Sequence, residues 1–218
     1  MLDRVVPPSV RWAHAFEDCL DVELSPQERA VVAGAGARRK AEFATVRACA
    51  RDALATLGCA PVPLLPGEYG APQWPDGIVG SMTHCTGYRA AAVASAADVA
   101  TLGIDAEPHE ALPERVLGAI ARAEELAMVA ALPTTEGIAW DRVLFSAKEA
   151  VYKAWFPLAR RWLHFREATV TIAPEGTFTA RLHTSGPELF GRPLTSFDGR
   201  WTADESLVTT AITVERRA

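Results

Sequence analysis

Apolar and polar positions change their period along this chain, and each change marks an element. Ser25-Pro26-Gln27-Glu28 is a capping-box pattern with proline at the first helical position. A long helical region is expected after it, broken near Gly34 and Gly36 and ending near Gly58, a residue suited to the turn after a helix. Residues 60–77 lose all period to Pro61, Pro63, Pro66, Gly67, Gly70, Pro72, Pro75 and Gly77, which predicts a loop. Short strands are predicted over 78–82, 88–95 and 101–107. Helices are predicted over 113–131 and 140–156, the second stopped by Pro157. Thr/Val/Ile alternation predicts strands over 168–173, 177–183 and 207–214. Each half is helix-rich and then strand-rich, so the class is α+β with antiparallel strands.

Length and charge narrow the picture. A chain of 218 residues suits one domain, or two small lobes sharing a core. A net charge of −5 makes it a poor general nucleic-acid binder, since phosphate affinity comes from basic surface. Any anionic ligand needs a local basic cluster. Met1-Leu2-Asp3-Arg4 is not followed by an apolar stretch, so no secretory leader is expected. The run Ala90 to Ala97 is far too short to span a bilayer. Cys19, Cys49, Cys59 and Cys85 form no C-x-x-C pair and no zinc spacing, which predicts free thiols in a reducing cytoplasm.

Candidate chemistry begins at Gly103-Ile104-Asp105-Ala106-Glu107. On a strand, Asp105 and Glu107 share one face, roughly 6–7 Å apart along the backbone. An isolated D-x-E is usually a solvated strand end, here closed by Pro108. A second motif changes that reading. In Lys148-Glu149-Ala150-Val151-Tyr152-Lys153, Glu149 and Lys153 are i,i+4 neighbours on a helix. That helix is apolar almost all round, with Val143, Leu144, Phe145, Ala147, Ala150, Val151, Tyr152, Ala154, Trp155 and Phe156. Such a helix is mostly buried, and buried charges need partners. Three carboxylates and an ammonium can thus meet. A hard cation such as Mg²⁺ takes carboxylate oxygens and often holds substrate phosphates too, so phosphate chemistry leads.

Two further stretches bear on an anion. In Gly80-Ser81-Met82-Thr83-His84-Cys85 the hydroxyls of Ser81 and Thr83 share a strand face, and His84 adds a donor. Phosphate contact and simple strand-end capping are equally open there. No G-x-S-x-G elbow supports a serine nucleophile. From Arg38 to Asp52 the segment is net +3 within an acidic protein, and Arg39, Phe43 and Arg47 fall on one helix face. The scattered His14, His109, His164 and His183 read as structural, while Trp74 in the Pro/Gly loop is placed to pack against a ligand.

Together these motifs closely resemble the 4′-phosphopantetheinyl transferases, and within them the Sfp-type, enterobactin-synthetase-component-D-like branch. The carrying residues are Arg39, Phe43 and Arg47 with Cys49-Ala50-Arg51, then Trp74-Pro75-Asp76-Gly77, Gly80 to Cys85, Gly103 to Pro108, and Phe145 to Trp155. They run in order over residues 25–175. The resemblance implies a pseudo-dimer of two similar α/β lobes, 1–100 and 101–218, with coenzyme A in the cleft between them. It implies transfer of the phosphopantetheine arm of coenzyme A to a serine of an acyl or peptidyl carrier protein, releasing 3′,5′-ADP. By position, Asp105, Glu107 and Glu149 would hold Mg²⁺ or Mn²⁺, and Glu149 would be the base for the serine. Lys153 would contact the pyrophosphate. Arg39 and Arg47 would bind the adenosine-side phosphate, with Ser81, Thr83 and His84 on phosphates from the other side. Relatives often carry basic residues in the loop that reads Leu65-Pro66-Gly67-Glu68-Tyr69-Gly70 here, so weaker coenzyme A binding is expected, relying on backbone amides or Tyr69. A monomer is expected, since the pseudo-dimer is internal.

Two other readings compete. A metal-dependent hydrolase of nucleotide pyrophosphates would use the same acids without a carrier. A non-catalytic coenzyme A-binding or carrier-docking module would lack the intact Asp105, Glu107, Glu149 and Lys153.

Overall fold

The computed structural model describes all residues except 20, 135, 136, 217 and 218. In chain order the elements are β1 (Arg11–Ala15), α1 (Pro26–Val31), α2 (Ala37–Ala55), β2 (Ile78–Cys85), β3 (Tyr88–Ser95), β4 (Val99–Pro108) and α3 (Glu114–Ile120). There follow α4 (Ala123–Ala131), α5 (Trp140–Ala159), β5 (Ala168–Ala173), β6 (Thr177–Leu182), β7 (Glu188–Leu189), β8 (Arg192–Pro193), β9 (Ser196–Ala203) and β10 (Leu207–Glu215). The strands form a three-stranded sheet ordered β1-β3-β2, a five-stranded sheet ordered β4-β10-β9-β6-β5, and the small hairpin β7-β8. Every pairing is antiparallel. The fold is therefore α+β.

Alternation along two strands builds the layers. On β3, Ala91 and Val93 pack with Ala50, Ala53 and Leu54 of α2. The intervening Tyr88, Ala90, Ala92 and Ala94 pack with Leu102, Ile104 and Ala106 of β4. The other face of β4 meets α5. A Cβ on Gly103 would lie 2.2 Å from the Ala150 carbonyl oxygen and 2.7 Å from the Ala154 nitrogen, so glycine is what lets strand and helix touch. Hence α2, the small sheet, the large sheet and α5 stack in that order, and β4 lies at the centre with Asp105 and Glu107 on its α5 side.

Local chemistry sets the ends of the helices. Ser25 Oγ accepts from Glu28 N–H while the Glu28 carboxylate accepts from Ser25 N–H, closing the capping box of α1. Gly58 turns left-handed at φ 76° after α2. The predicted 113–131 helix is divided at Ala121 and Arg122, because Glu125 caps α4 by accepting from Arg122 N–H at 2.7 Å. Pro157 does not stop α5, which continues to Ala159 and ends on Arg160 at φ 51°. Near the C-terminus proline forfeits one bond, and the buried face of α5 holds the last turn in place. Strands β1 and β9 have no counterpart among the predicted elements. In β9 Gly199 interrupts the alternation because the Phe178 ring fills its side-chain position, 2.2 Å from an ideal Cβ.

Candidate active site

The chemistry-bearing residues gather where β4, α5, α2 and β2 meet. Lys153 lies one turn after Glu149 on α5. Its ammonium donates to Asp105 Oδ1 at 2.7 Å and to the Ile104 carbonyl at 3.1 Å. Thr83 Oγ1 donates to the same Asp105 oxygen at 3.2 Å. The second oxygen, Oδ2, is buried without a hydrogen-bond partner. A buried carboxylate oxygen left unpaired is costly, so it points to a ligand that completes it.

Glu107, two residues on, accepts from Arg142 Nη1 at 3.0 Å. Burial first, and then the charge of Asp105, push its carboxyl up to about 7 against the pull of Arg142. Glu149 is raised too, by burial, with Lys153 opposing and Asp105 adding to the shift. Arg142 escaped the reading of the sequence. Its signal was available: residues 142, 149 and 153 fall at i, i+7 and i+11, one helix face. Lys148 points elsewhere, into a buried pair with Glu125 at 2.8 Å.

Helix α2 supplies the opposite charge. Arg47 lies over the Phe43 ring, 3.3 Å from its centroid, and donates through Nε to the Leu64 carbonyl at 3.2 Å. Burial lowers its guanidinium to about 10. Arg39 Nη1 donates to His84 Nε2 at 2.9 Å. Since a guanidinium only donates, His84 accepts as a neutral imidazole. Burial, and then Arg39, hold it below its usual range, which agrees. Two further arginines of the basic segment are used structurally: Arg38 pairs with Glu42 and Arg51 with the buried Glu28.

The two hydroxyls of β2 take up the capping role that the sequence left open beside phosphate contact. Ser81 Oγ accepts from Ile104 N–H at 3.0 Å and Thr83 Oγ1 from Ala106 N–H at 3.1 Å, so both join β2 to β4. Ser81 still borders the cleft described next; Thr83 does not, and it reaches the site through Asp105.

A cleft of about 800 Å³ opens over this ground, a size that suits a large organic ligand. Arg39, Arg47, Ser81, His84, Glu149 and Lys153 border it. The loop from Pro66 to Trp74 forms another wall. Trp74 is held there by its indole N–H to the Gly80 carbonyl at 3.0 Å. Tyr69 is exposed at φ 51°, with Phe156 and Trp162 rings 5.6 and 5.9 Å away. A smaller neighbouring pocket of about 360 Å³ is bordered by His84, Cys85, Glu107 and Arg142. Among the described residues no three acidic, histidine or cysteine side chains form a ready-made metal cage. Mg²⁺ commonly takes one or two carboxylates and completes its shell with water and substrate phosphate, and Asp105 Oδ2 offers such a ligand.

Comparisons with known proteins agree with this geometry. Residues 27–94 match the family model of the 4′-phosphopantetheinyl transferase N-terminal domain, and residues 101–193 that of the 4′-phosphopantetheinyl transferase superfamily. The chain is 53% identical to the 4′-phosphopantetheinyl transferase Svp of Streptomyces mobaraensis, over 98% of this chain and 89% of that protein. It is 45% identical to PptT of Mycobacterium tuberculosis, over 97% and 95%. The likeness to enterobactin synthase component D of Salmonella typhi is more distant, 36% over 56% of this chain and 50% of that protein. With both family models matched across most of its length, and a face of acid, lysine and arginine suited to phosphate chemistry, the chain belongs to the 4′-phosphopantetheinyl transferase superfamily and is a transferase.

Proposed function

We propose that this protein moves the 4′-phosphopantetheine group of coenzyme A to a serine of an acyl or peptidyl carrier protein, with Mg²⁺ or Mn²⁺, and releases 3′,5′-ADP. The observation that carries the reading is a cleft bordered by Glu149 and Lys153, with Lys153 paired to the buried Asp105 behind it, and by Arg39, Arg47 and His84. The lobes 1–100 and 101–218, a monomeric state and a cytoplasmic setting are part of the same proposal. No helix among the described residues is long and apolar enough to cross a membrane.

Phosphoryl transfer is chiefly positioning and charge neutralisation. Arg39 and Arg47 bind the adenosine-side phosphate, with His84 beside Arg39 and Ser81 bordering the same cleft. Lys153 holds a fixed positive charge against the pyrophosphate oxygens, where negative charge grows as the bond breaks. Glu149 takes the serine proton; burial raises its carboxyl above the ordinary value, which makes it a stronger base. The serine oxygen–phosphorus bond forms as the pyrophosphate phosphorus–oxygen bond breaks, and 3′,5′-ADP departs. Asp105, Glu107 and Glu149 would hold the divalent cation. When bound, that cation supplies neutralisation and orientation of the phosphate oxygens.

The test is product analysis by chromatography. Release of 3′,5′-ADP in equal amount to arm incorporated into carrier, and none without carrier, supports the reading. Nucleotide release that ignores the carrier is the hydrolase outcome and overturns it.

A further inference from the structure

We propose that Glu28, in helix α1, is a positioning residue that sets the coenzyme A-facing loop from Leu65 to Trp74. This rests on the coenzyme A reading of the cleft. Glu28 is fully buried although it is charged. Its carboxylate accepts from Leu64 N–H at 3.0 Å, Arg51 Nη1 at 3.0 Å and Ser25 N–H at 2.9 Å. Burial pushes the carboxyl up, and the backbone donors of Leu64 and Ser25 with Arg51 outweigh it, leaving it below its ordinary value.

Leu64 is the point of leverage. Its N–H is held by Glu28, and its carbonyl by Nε of Arg47. One peptide position therefore links the α1 carboxylate to the arginine that borders the cleft. The loop begins at the next residue. It closes on itself through Gln73 N–H to the Leu65 carbonyl at 2.9 Å and Gly67 N–H to the Ala71 carbonyl at 2.7 Å. A loop tied internally moves as a unit about its two ends: Trp74 is fixed on the Gly80 carbonyl, and Leu64 is the end that Glu28 sets. The segment has no Lys or Arg of its own. Its contribution to an anionic ligand thus depends on where its backbone and Tyr69 sit. Glu28 lies outside the cleft-bordering set and acts only through Leu64 and Arg47.

The experiment uses the full chain with Glu28→Gln and Glu28→Ala, and Ser25→Ala as a control that weakens the same helix cap without touching Leu64. Coenzyme A affinity is read by calorimetry, steady-state constants by carrier modification, and loop mobility by amide hydrogen exchange over 65–74. Losing a charged acceptor is expected to weaken coenzyme A binding about tenfold, as Kd and KM, in Glu28→Ala. Glu28→Gln keeps an acceptor for Leu64 and recovers part of that loss. The kcat of both stays within about twofold of wild type, and exchange over 65–74 quickens without ligand. Ser25→Ala lowers Tm but leaves Kd unchanged. Unchanged Kd in both Glu28 variants, or an equal loss in Ser25→Ala, overturns the proposal. If Glu28→Ala does not fold, Glu28→Gln decides. If wild type binds no coenzyme A, the functional reading fails, and the exchange data still decide whether Glu28 sets the loop.

Discussion

Lys153 Nζ and Asp105 Oδ1 lie 2.7 Å apart, across the contact between α5 and β4 that Gly103 makes possible. The pair joins a nearly buried carboxylate to a quarter-exposed ammonium. Replacing Lys153 with Ala removes the charge proposed to meet the pyrophosphate and strands Asp105. The expected outcome is a loss of about 10²–10³ in kcat, the scale for removing one transition-state donor. Steady-state carrier modification checks it; a variant with wild-type kcat would remove Lys153 from the chemistry.

Gly103→Ala tests the same contact from the backbone. The new methyl meets helix backbone, which does not yield as a flexible side chain does. Overpacking costs about 1–3 kcal/mol or more, and separation of α5 from β4 parts Lys153 from Asp105. Denaturant unfolding is expected to show that loss, with activity falling further than stability explains.

The Glu107 carboxyl gives a pH signature. Its ordinary value is 4.5 and burial raises it to about 7. Between those values the folded state holds a proton that the unfolded chain has released. The contribution of Glu107 to the stability of the metal-free protein therefore falls as pH rises from about 4.5 to about 7, by up to ~3 kcal/mol, and is level above. Glu107→Gln removes this part of the slope, so its stability curve diverges from that of wild type across the window. The proton also competes with a cation, so Mn²⁺ affinity, read by titration, is expected to rise with pH until about 7. Parallel stability curves for wild type and Glu107→Gln would contradict the assignment.

Tyr69→Arg adds a positive charge to a cleft wall that has no Lys or Arg of its own. The expected result is a KM for coenzyme A lowered about threefold, as for a partly screened ion pair. An unchanged KM would show that the loop works through its backbone alone.

Much of the frame was legible because it follows local rules. Ser25 to Glu28 named the start of α1, and Gly58 the turn after α2. The single helix face of Glu149 and Lys153 placed them toward β4. What escaped depended on partners distant in the chain. For Ser81 and Thr83 phosphate contact and capping stood equal, and the N–H groups that take their oxygens, those of Ile104 and Ala106, lie on another strand. Nothing near residue 83 announces residue 106. Arg142 was on the readable face, but its value lay in Glu107, on another element. Pro157 misled because the sequence rule omits the packing that keeps α5 going. Gly199 hid β9 because its reason, the Phe178 ring, lies across the sheet.

The most direct test of the central claim is intact-mass analysis of apo carrier proteins of the fatty-acid, polyketide and nonribosomal-peptide kinds, each incubated with this protein, coenzyme A and Mg²⁺. The account predicts a phosphopantetheine-sized gain on at least one carrier, lost with Glu149→Ala and without divalent cation. No gain on any carrier, with coenzyme A still bound, would contradict it and leave a binding module.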